Sequence, residues 1–271
     1  SGLWAPYYAI MEQQVGATAS LVNFGNQQGA GLVTATTFTG RRFSATGLAP
    51  TWTPSEALSA FDTPFDLKLE SNWQGLAPIL TLNGTDERAT APDDTYWSRG
   101  NGTTDSAMSV CIWVIPTSLA NTAMLAKTDL SAQEEWYFNI GERTTNRFGF
   151  EIVDESASAT AFIVDSADLT AGVVYFLVAT YDGTGGTTAM TGAELYKDGV
   201  ITASPARTEH LSYVAMENGT ATMKLAAVSA TLRLFSGKML GGPWSPFYVQ
   251  AELTAAQVKN IYDNMRLGLG I

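Results

Sequence analysis

The segment Tyr175–Ile201 constrains the fold more than any other part of this 271-residue chain. It begins with Tyr175–Tyr181, whose side chains alternate in direction and are largely apolar on both faces. That pattern predicts a strand buried along most of its length. A Gly-rich loop follows, and Asp198-Gly199 then separates two further short runs. Asp and Gly tolerate the positive φ of a type I′ turn, so the segment predicts a buried strand followed by a tight hairpin.

Short strands continue this pattern from Pro78 onward. The most apolar is Ala107–Ile115, which is hydrophobic on both faces and is therefore predicted to lie in the middle of a sandwich. The other predicted strands are Ile79–Asn83, Ala123–Lys127, Trp136–Ile140, Arg147–Val153, Thr160–Val164, Thr222–Val228, Thr231–Phe235 and Trp244–Gln250. Many short strands with turn residues between them indicate a sandwich or jelly roll rather than βαβ units.

An amphipathic helix is predicted near the end of the chain. The run Thr254-Ala-Ala-Gln257 is a capping box, and Leu253 and Val258 are placed as a hydrophobic staple. The apolar residues that define its buried face recur at helical spacing: Val258, Ile261, Tyr262 and Met265. We expect this face to dock on one of the sheets.

Charge and cysteine content exclude several kinds of partner and site. The formal net charge is −11, and an acidic surface repels phosphate backbones, so nucleic acid is not an expected partner. Cys111 is the only cysteine, which excludes an intramolecular disulfide and a zinc–thiolate cluster. Its apolar neighbours predict a buried, inert thiol. The sequence lacks an apolar run of about 18 residues, so membrane insertion is not predicted.

Residues 1–75 differ in composition from the rest of the chain. Between Ser1 and Gly40 the only charged side chain is Glu12. A disordered tail is normally charged or Pro-rich and poor in aromatic residues, whereas this segment is rich in them. Its aromatic residues are Trp4, Tyr7, Tyr8, Phe24 and Phe38. They must be buried either on the chain's own domain or on a neighbouring subunit, so we interpret the segment as an arm that makes assembly contacts.

Four pieces of the sequence resemble the laminin-G-like, concanavalin A-like jelly roll. They are Leu82–Ala89, Met108–Val114 with its Trp113, Tyr175–Gly183 together with Leu195–Gly199, and Tyr248–Tyr262. They occur in the family's order. The resemblance implies two antiparallel sheets packed face to face. It does not imply one function, because members of this family bind glycans or proteins, coat virions or form parts of enzymes.

The predicted fold is therefore an all-β, two-sheet antiparallel jelly-roll sandwich with a short C-terminal helix and an N-terminal arm. We place the arm and connector at residues 1–75 and the laminin-G-like domain at residues 76–271.

Candidate catalytic residues are few. A glucanase on a related jelly roll needs paired carboxylates on one strand face, and the nearest match is Glu151-Ile-Val-Asp154-Glu155. By strand parity Glu151 and Glu155 share a face but Asp154 does not, so a solvated strand edge is the favoured interpretation. His210 is the only histidine, and its surroundings predict a loop residue rather than part of a catalytic triad. The sequence therefore predicts a protein that is not an enzyme.

Two kinds of ligand site stay open as alternatives. Related jelly rolls hold calcium with acidic side chains at the loop rim, and the candidates here are Asp86, Asp93, Asp94 and Asp182. The other interpretation of these residues is solvated turn aspartates. Tyr96 and Trp97, beside a Gly-containing loop, are candidates to stack on a sugar ring, or else to join the core. Three Asn-Gly-Thr sequences, at Asn83, Asn101 and Asn218, match a glycosylation sequon but are favoured as turns.

The sequence favours a non-catalytic structural and interaction protein. The specific prediction is a virion-surface subunit, a phage capsid decoration or fibre-associated protein, that uses its arm to contact protein subunits and forms homo-oligomers. The nearly uncharged arm, the acidic composition and the lack of catalytic groups support it. The alternative is a secreted or cell-surface, lectin-like carbohydrate-binding module, with calcium as the one cofactor to consider.

Overall fold

The computed structural model describes residues 20–22, 42–44, 66–69, 78–91, 93–129, 133–229, 232–240 and 247–269. In chain order the strands are β1 (Ser20–Val22), β2 (Arg42–Ser44), β3 (Asp66–Leu69), β4 (Pro78–Asn83), β5 (Ala89–Ala91), β6 (Met108–Pro116), β7 (Thr122–Asp129), β8 (Gln133–Ile140), β9 (Phe148–Asp154), β10 (Ala159–Val164), β11 (Tyr175–Tyr181), β12 (Ala193–Lys197), β13 (Val200–Ile201), β14 (Ala206–Thr208), β15 (Met223–Leu225), β16 (Ser236–Leu240) and β17 (Phe247–Val249). Within these residues a 3-10 helix spans Gly186–Gly192 and the α-helix α1 spans Ala255–Leu269.

The strands form two antiparallel sheets. The first sheet has the order β1-β2-β5-β15-β7-β8-β9-β10-β14. The second has the order β13-β12-β11-β6-β16-β4-β3, and β17 also pairs with β6. Non-consecutive neighbours such as β6 and β11 are joined by long connections, as in a jelly roll. The predicted all-β sandwich with a C-terminal helix is confirmed. No helix in the described ranges is long and apolar enough to cross a membrane.

The two central strands of the second sheet are buried on both faces, as their sequences predict. On β11, Leu177 belongs to the main core between the sheets, whereas Phe176 and Val178 belong to a second cluster on the outer face. On β6, Ile112 and Trp113 divide in the same way. Burial of each such side chain stabilises the fold by about 1.5–3 kcal/mol. Cys111 lies in the outer cluster and is fully buried, which confirms the prediction of a buried thiol.

Helix α1 covers that outer cluster. Thr254 and Gln257 form the predicted capping box, with the Gln257 N–H donating to Thr254 Oγ1 at 3.3 Å and the Thr254 N–H donating to Gln257 Oε1 at 2.8 Å. Leu253 and Val258 are both buried in the cluster, as expected of a staple. The Tyr262 ring stacks on Trp113 with the ring centroids 5.5 Å apart. The predicted docking face is therefore confirmed.

The hairpin between β12 and β13 has the predicted turn. Asp198 and Gly199 have φ values of 53° and 77°, the double positive φ that defines a type I′ turn. Glycine is also required by space, because a Cβ at Gly199 would lie 2.8 Å from the Tyr262 side chain. The turn thus fixes both the hairpin register and the seat of α1.

The described parts of the N-terminal arm pair with the chain's own sheets. β2 pairs with β5 through Ser44 and Thr90, and β3 pairs along β4 from Asp66 opposite Thr81. These segments therefore extend an edge of each sheet. The arm aromatics Trp4, Tyr7, Tyr8, Phe24 and Phe38 lie outside the described residues. Their role in assembly, and the domain boundary at residue 75, stay predictions.

Two differences from the predicted strands have local causes. Strands β1, β2, β3, β5 and β14 were not predicted from the sequence, since strands of three or four residues are too short to show a period of two. The strand predicted at Thr231–Phe235 is wrong, because β16 begins at Ser236. Arg233 has a φ of 55°, and a left-handed residue cannot continue an extended strand.

Candidate functional site

Four loops meet at one end of the sandwich and form the candidate site, which we call the rim: residues 93–107, 155–158, 182–192 and 209–222. β6 begins and β11 ends at this rim, because Met108 pairs with Tyr181. The β9–β10 turn joins it through Asp154, which pairs with Ala159. The loop 209–222 is the longest connection among the described residues of this rim after 93–107, and it joins β14 to β15 within the first sheet.

The Asp105 carboxylate links the rim loops through hydrogen bonds. Its Oδ2 accepts hydrogen bonds from the hydroxyls of Tyr181 at 2.6 Å and Tyr213 at 2.8 Å. Its Oδ1 accepts the Met216 N–H at 2.8 Å. Burial raises the pKa of Asp105, and the hydrogen bonds from the two tyrosines and Met216 oppose that rise. Tyr181 in turn accepts the Gly185 N–H at 2.8 Å, so three loops share one polar network.

Asp154 anchors the same long loop from the other sheet. Its Oδ2 accepts the Val214 N–H at 2.9 Å and the Ala215 N–H at 3.4 Å, while its Oδ1 accepts the Ala157 N–H and the Ser156 hydroxyl, both at 2.9 Å. Burial acts to raise the pKa of Asp154. The four donated hydrogen bonds outweigh it, and the pKa lies below its ordinary value. A charged carboxylate therefore fixes the backbone of the loop.

The anchored loop presents apolar side chains to solvent. Leu211 is 89% exposed and Val214 is 50% exposed. The turn that carries them is closed by the Tyr213 N–H, which donates to the His210 carbonyl at 3.0 Å, and by the Ser212 N–H, which donates to His210 Nδ1 at 3.2 Å. His210 is an exposed loop residue, as predicted. We call Leu211 and Val214 the rim tip.

Neutral polar groups and carboxylates surround the rim tip. The exposed hydroxyl and amide side chains of the rim loops are Thr95, Asn101, Thr103, Thr104, Ser106, Ser156, Ser158, Thr184, Thr187, Thr188, Thr191, Ser212, Asn218 and Thr220. The carboxylates of the four loops are Asp93, Asp94, Asp105, Glu155, Asp182, Glu209 and Glu217. Arg99 is the only lysine or arginine of these loops, and its Nε donates to the Ala107 carbonyl at 3.0 Å. This surface therefore disfavours an anionic ligand.

A buried ion cluster supports the rim where it meets the first sheet. The Lys127 ammonium lies 2.8 Å from Asp93 Oδ1 and 3.0 Å from Glu135 Oε1, and both the Lys127 and Glu135 side chains are fully buried. It also donates to the carbonyls of Gly219 at 3.2 Å and Ala221 at 2.5 Å. Burial raises the pKa of Glu135 to about 7, despite the opposing charge of Lys127.

The four aspartates predicted as calcium ligands are each engaged by protein groups and do not form one cluster. Asp93 pairs with Lys127. The Asp94 side chain accepts the Tyr96 N–H at 2.8 Å, and Asp86 accepts the Asn83 amide at 2.9 Å. Asp182 accepts the N–H and hydroxyl of Thr184. Within the described residues, no group of three or more His, Cys, Asp or Glu side chains is placed to hold a metal ion.

The two predicted sugar-stacking residues differ in exposure. Trp97 is 1% exposed and lies in the main core, so it is a core residue, the second of the two alternatives given by the sequence. Tyr96 is partly buried, packs edge-on against Trp97 at 5.0 Å, and donates its hydroxyl to the Tyr248 carbonyl at 3.2 Å. A glycan contact at Tyr96 stays a prediction.

The side chains of Asn83 and Asn101 each accept backbone N–H groups from the residues two and three positions later, as in the predicted turns.

The carboxylates of the glucanase-like run are held apart in different clusters. Glu151 is 1% exposed and accepts hydrogen bonds from Arg143 Nε at 2.9 Å and Nη2 at 2.6 Å. The prediction of a solvated edge is thus wrong for Glu151, because Arg143 reaches it from the preceding β8–β9 loop and lies 4.7 Å over the Phe162 ring. Burial raises the pKa of Glu151 and Arg143 opposes that rise. Asp154 belongs to the rim instead.

Sequence reasoning missed the residues that organise the rim. Asp105 and Tyr213 are 108 residues apart, and Lys127 contacts a carbonyl 92 residues away. One signal was available, since Lys127 closes a run of apolar residues where a lysine is rarely buried without partners. The sequence did not show which oxygen atoms would surround the Lys127 ammonium.

Comparison with known proteins identifies the class of this fold. A family model described as the concanavalin A-like lectin/glucanases superfamily, laminin G type, matches residues 83–239. That range covers more than half of the chain, and the chain belongs to this superfamily. The predicted resemblance is confirmed. No curated protein matches the sequence.

Several solved structures show a distant likeness. The binding domain of Paraclostridial Mosquitocidal Protein 1 is 10% identical with a TM-score of 0.48, over 75% of this chain and 50% of that one. The botulinum neurotoxin serotype D binding domain is 12% identical with a TM-score of 0.46, over 70% of this chain. Domain 4 of a GH43 extracellular arabinanase from Geobacillus stearothermophilus is 14% identical with a TM-score of 0.44, over 68% of this chain and 76% of that one. The chain spans 43% of the length of the serotype D domain. Likeness at this level does not extend to function.

Proposed function

We propose that the protein is a non-catalytic interaction module whose rim tip binds the N-terminal arm of a neighbouring copy. The observation that carries the proposal is an apolar tip, Leu211 and Val214, on a loop fixed by two carboxylates. Ordering a loop on binding costs free energy, and a loop that is already ordered avoids that cost. A rigid, exposed leucine is therefore suited to pack against the aromatic side chains of a partner's arm, because that contact removes apolar surface from water.

Charge decides which surface suits the rim. Seven carboxylates and one arginine make a rim-to-rim contact between two copies repulsive. Residues 1–40 carry Glu12 as their only charge and five aromatic side chains that need burial. A neutral, aromatic arm is compatible with an acidic rim around an apolar tip. Two copies that exchange arms reciprocally form a two-fold dimer, whereas one-way arm-to-rim contacts build rings or open filaments.

Such repeating assembly supports the more specific role of a virion-surface subunit, as capsid decoration or a fibre-associated protein. The same arm then contacts other protein subunits of the particle. Localisation on a virion surface, or outside the cell, belongs to this proposal.

The test compares two leucines that are both exposed but lie at opposite ends of the sandwich. Leu211→Ser removes the rim-tip anchor. Leu232→Ser is the matched control, because Leu232 is 52% exposed on the segment next to the start of β7. Loss of one buried leucine contact costs roughly 1.5–3 kcal/mol, which weakens self-association about 10- to 100-fold. Sedimentation velocity of the full chain measures the dissociation constants, and equal constants for both variants contradict the proposal.

A second candidate function is binding of a neutral glycan. The observation that favours it is the set of exposed threonine, serine and asparagine side chains around the rim tip, since hydroxyl and amide groups pair with sugar hydroxyls. A glycan array with and without EDTA tests it. Binding to neutral glycans that is lost in Thr184→Ala, but retained in an exposed-threonine control away from the rim tip such as Thr117→Ala, supports it, and no binding to any glycan contradicts it.

A further inference from the structure

We infer that the rim contains a lysine-filled cation site, in which the Lys127 ammonium occupies the place of an oxygen-coordinated divalent ion. Four oxygens surround its Nζ between 2.5 and 3.2 Å: Asp93 Oδ1, Glu135 Oε1 and the carbonyls of Gly219 and Ala221. Two carboxylates and two backbone carbonyls form the kind of donor set that calcium takes in proteins.

The cage is assembled from separate parts of the chain. Asp93 follows β5, Glu135 lies on β8, and Gly219 and Ala221 belong to the long rim loop. One cation thus joins two loops to the first sheet. Ser98 Oγ and the Gly219 N–H also donate to Glu135 Oε1, each at 3.1 Å, which fixes that carboxylate in place.

One atom of the cage is not used by the lysine. Glu135 Oε2 is buried and has no hydrogen-bond partner within the described residues, although a buried carboxylate oxygen normally has one. A divalent ion accepts both oxygens of a carboxylate, so Oε2 is placed to become a ligand. Two carboxylates also match the charge of one divalent ion.

Two consequences follow. The native protein does not need calcium to order its rim, since the ammonium already joins the loops. Shortening the lysine opens a site for calcium rather than magnesium, because oxygens from loops and a strand suit the adaptable coordination of calcium better than the strict octahedron of magnesium.

The experiment uses full-length Lys127→Ser at about pH 8, since alkaline pH favours the deprotonated carboxylates that bind calcium. Thermal unfolding is measured in about 10 mM CaCl2, in MgCl2, and in NaCl of equal ionic strength. For a millimolar site we expect calcium to raise the melting temperature of the variant by roughly 3–6 °C over NaCl. Magnesium is expected to give a smaller rise. The wild-type protein is expected to show no rise.

Two controls separate this site from general effects of calcium. Lys127→Ser combined with Glu135→Gln removes one carboxylate charge and is expected to lose the calcium response. Lys197→Ser deletes a lysine that pairs with the buried Asp165 at the opposite end of the sandwich, and it is expected to show no response. A calcium rise of equal size in either control contradicts the inference, as does a folded Lys127→Ser variant that calcium does not stabilise.

The wild-type protein keeps the inference testable if Lys127→Ser does not fold. Calorimetric titration of the native chain with CaCl2, and melting with and without EDTA, are expected to show neither binding at the rim nor a change in melting temperature. A wild-type protein that EDTA destabilises overturns the inference, because its rim would then already hold a metal ion.

Discussion

Two buried carboxylates at the rim show how the number of hydrogen bonds that a carboxylate accepts affects its protonation. Asp154 and Glu135 are each 1% exposed or less. Asp154 accepts four hydrogen bonds, and its pKa falls below the ordinary value. Glu135 is held through one oxygen, and burial raises its pKa to about 7. Asp154 therefore serves as a fixed charge, whereas Glu135 changes its protonation within the range where proteins are commonly studied.

The Glu135 pKa makes stability depend on pH in a defined direction. Its folded pKa of about 7 lies above the ordinary value of 4.5, so between these values the folded state binds more protons than the unfolded state. The contribution of Glu135 is full below pH 4.5 and is lost as the pH rises through 7. Relative to Glu135→Gln, the wild-type protein is expected to lose about 1–3 kcal/mol of stability between pH 4.5 and pH 8.

Urea unfolding of both proteins at several pH values measures this difference. Glutamine is the appropriate reference because it keeps the shape and an acceptor for Ser98 and Gly219 but does not titrate. The opposite slope, with the wild-type protein gaining stability as the pH rises, would mean that the Lys127 charge outweighs burial.

At the scale of single residues, the sequence predicts whether a side chain lies in the core or in a loop better than it predicts which residues that side chain contacts. It placed Cys111 in the core and His210 in a loop, and both positions are confirmed. Glu151 was misplaced because its partner, Arg143, comes from a loop whose path depends on the finished sheet. Asp105 was not found at all, since two tyrosines from distant elements give it its role.

At the scale of elements, the start of the C-terminal helix is determined mainly by residues close to it in sequence. Its capping box, staple and docking face all lie within thirteen residues of sequence, from Leu253 to Met265, and all are confirmed. The helix matters for the sheet because it covers Trp113 and Phe176, which would otherwise face water.

Removal of the cap is expected to weaken this helix measurably. Thr254→Ala deletes the hydroxyl that accepts the Gln257 N–H, and loss of an N-cap costs about 0.5–2 kcal/mol. Thr254→Ser is the matched control, because serine retains the hydroxyl. Urea unfolding followed by tryptophan fluorescence measures both variants. Equal destabilisation by alanine and serine would show that the methyl group, and not the cap, stabilises the helix start.

Central strands and tight turns were predicted well for the same reason as the helix. The β11 strand and the Asp198-Gly199 turn carry their signal within a few residues. Edge strands such as β14 depend on what lies beside them, and β14 is exposed along its length, so its residues show no apolar pattern. The left-handed Arg233 likewise gives no sequence signal, and the strand after it was placed too early.

At the scale of the whole molecule, the arm and the rim are the two parts that suggest assembly. The described segments of the arm already extend both sheets, through β2 beside β5 and β3 beside β4. Edge strands invite further pairing, and the rim tip offers an apolar anchor at one end of the sandwich. Neither the family nor the fold assigns a partner, because one jelly roll hosts many functions.

The mass of the full chain in solution tests the central claim most directly. Sedimentation velocity is measured from about 1 to 100 μM, which spans the usual range of weak to moderate protein association. Self-assembly through the arm and rim predicts species heavier than the 28.9 kDa monomer that grow with concentration and that Leu211→Ser removes. A single 28.9 kDa species at every concentration would contradict the claim.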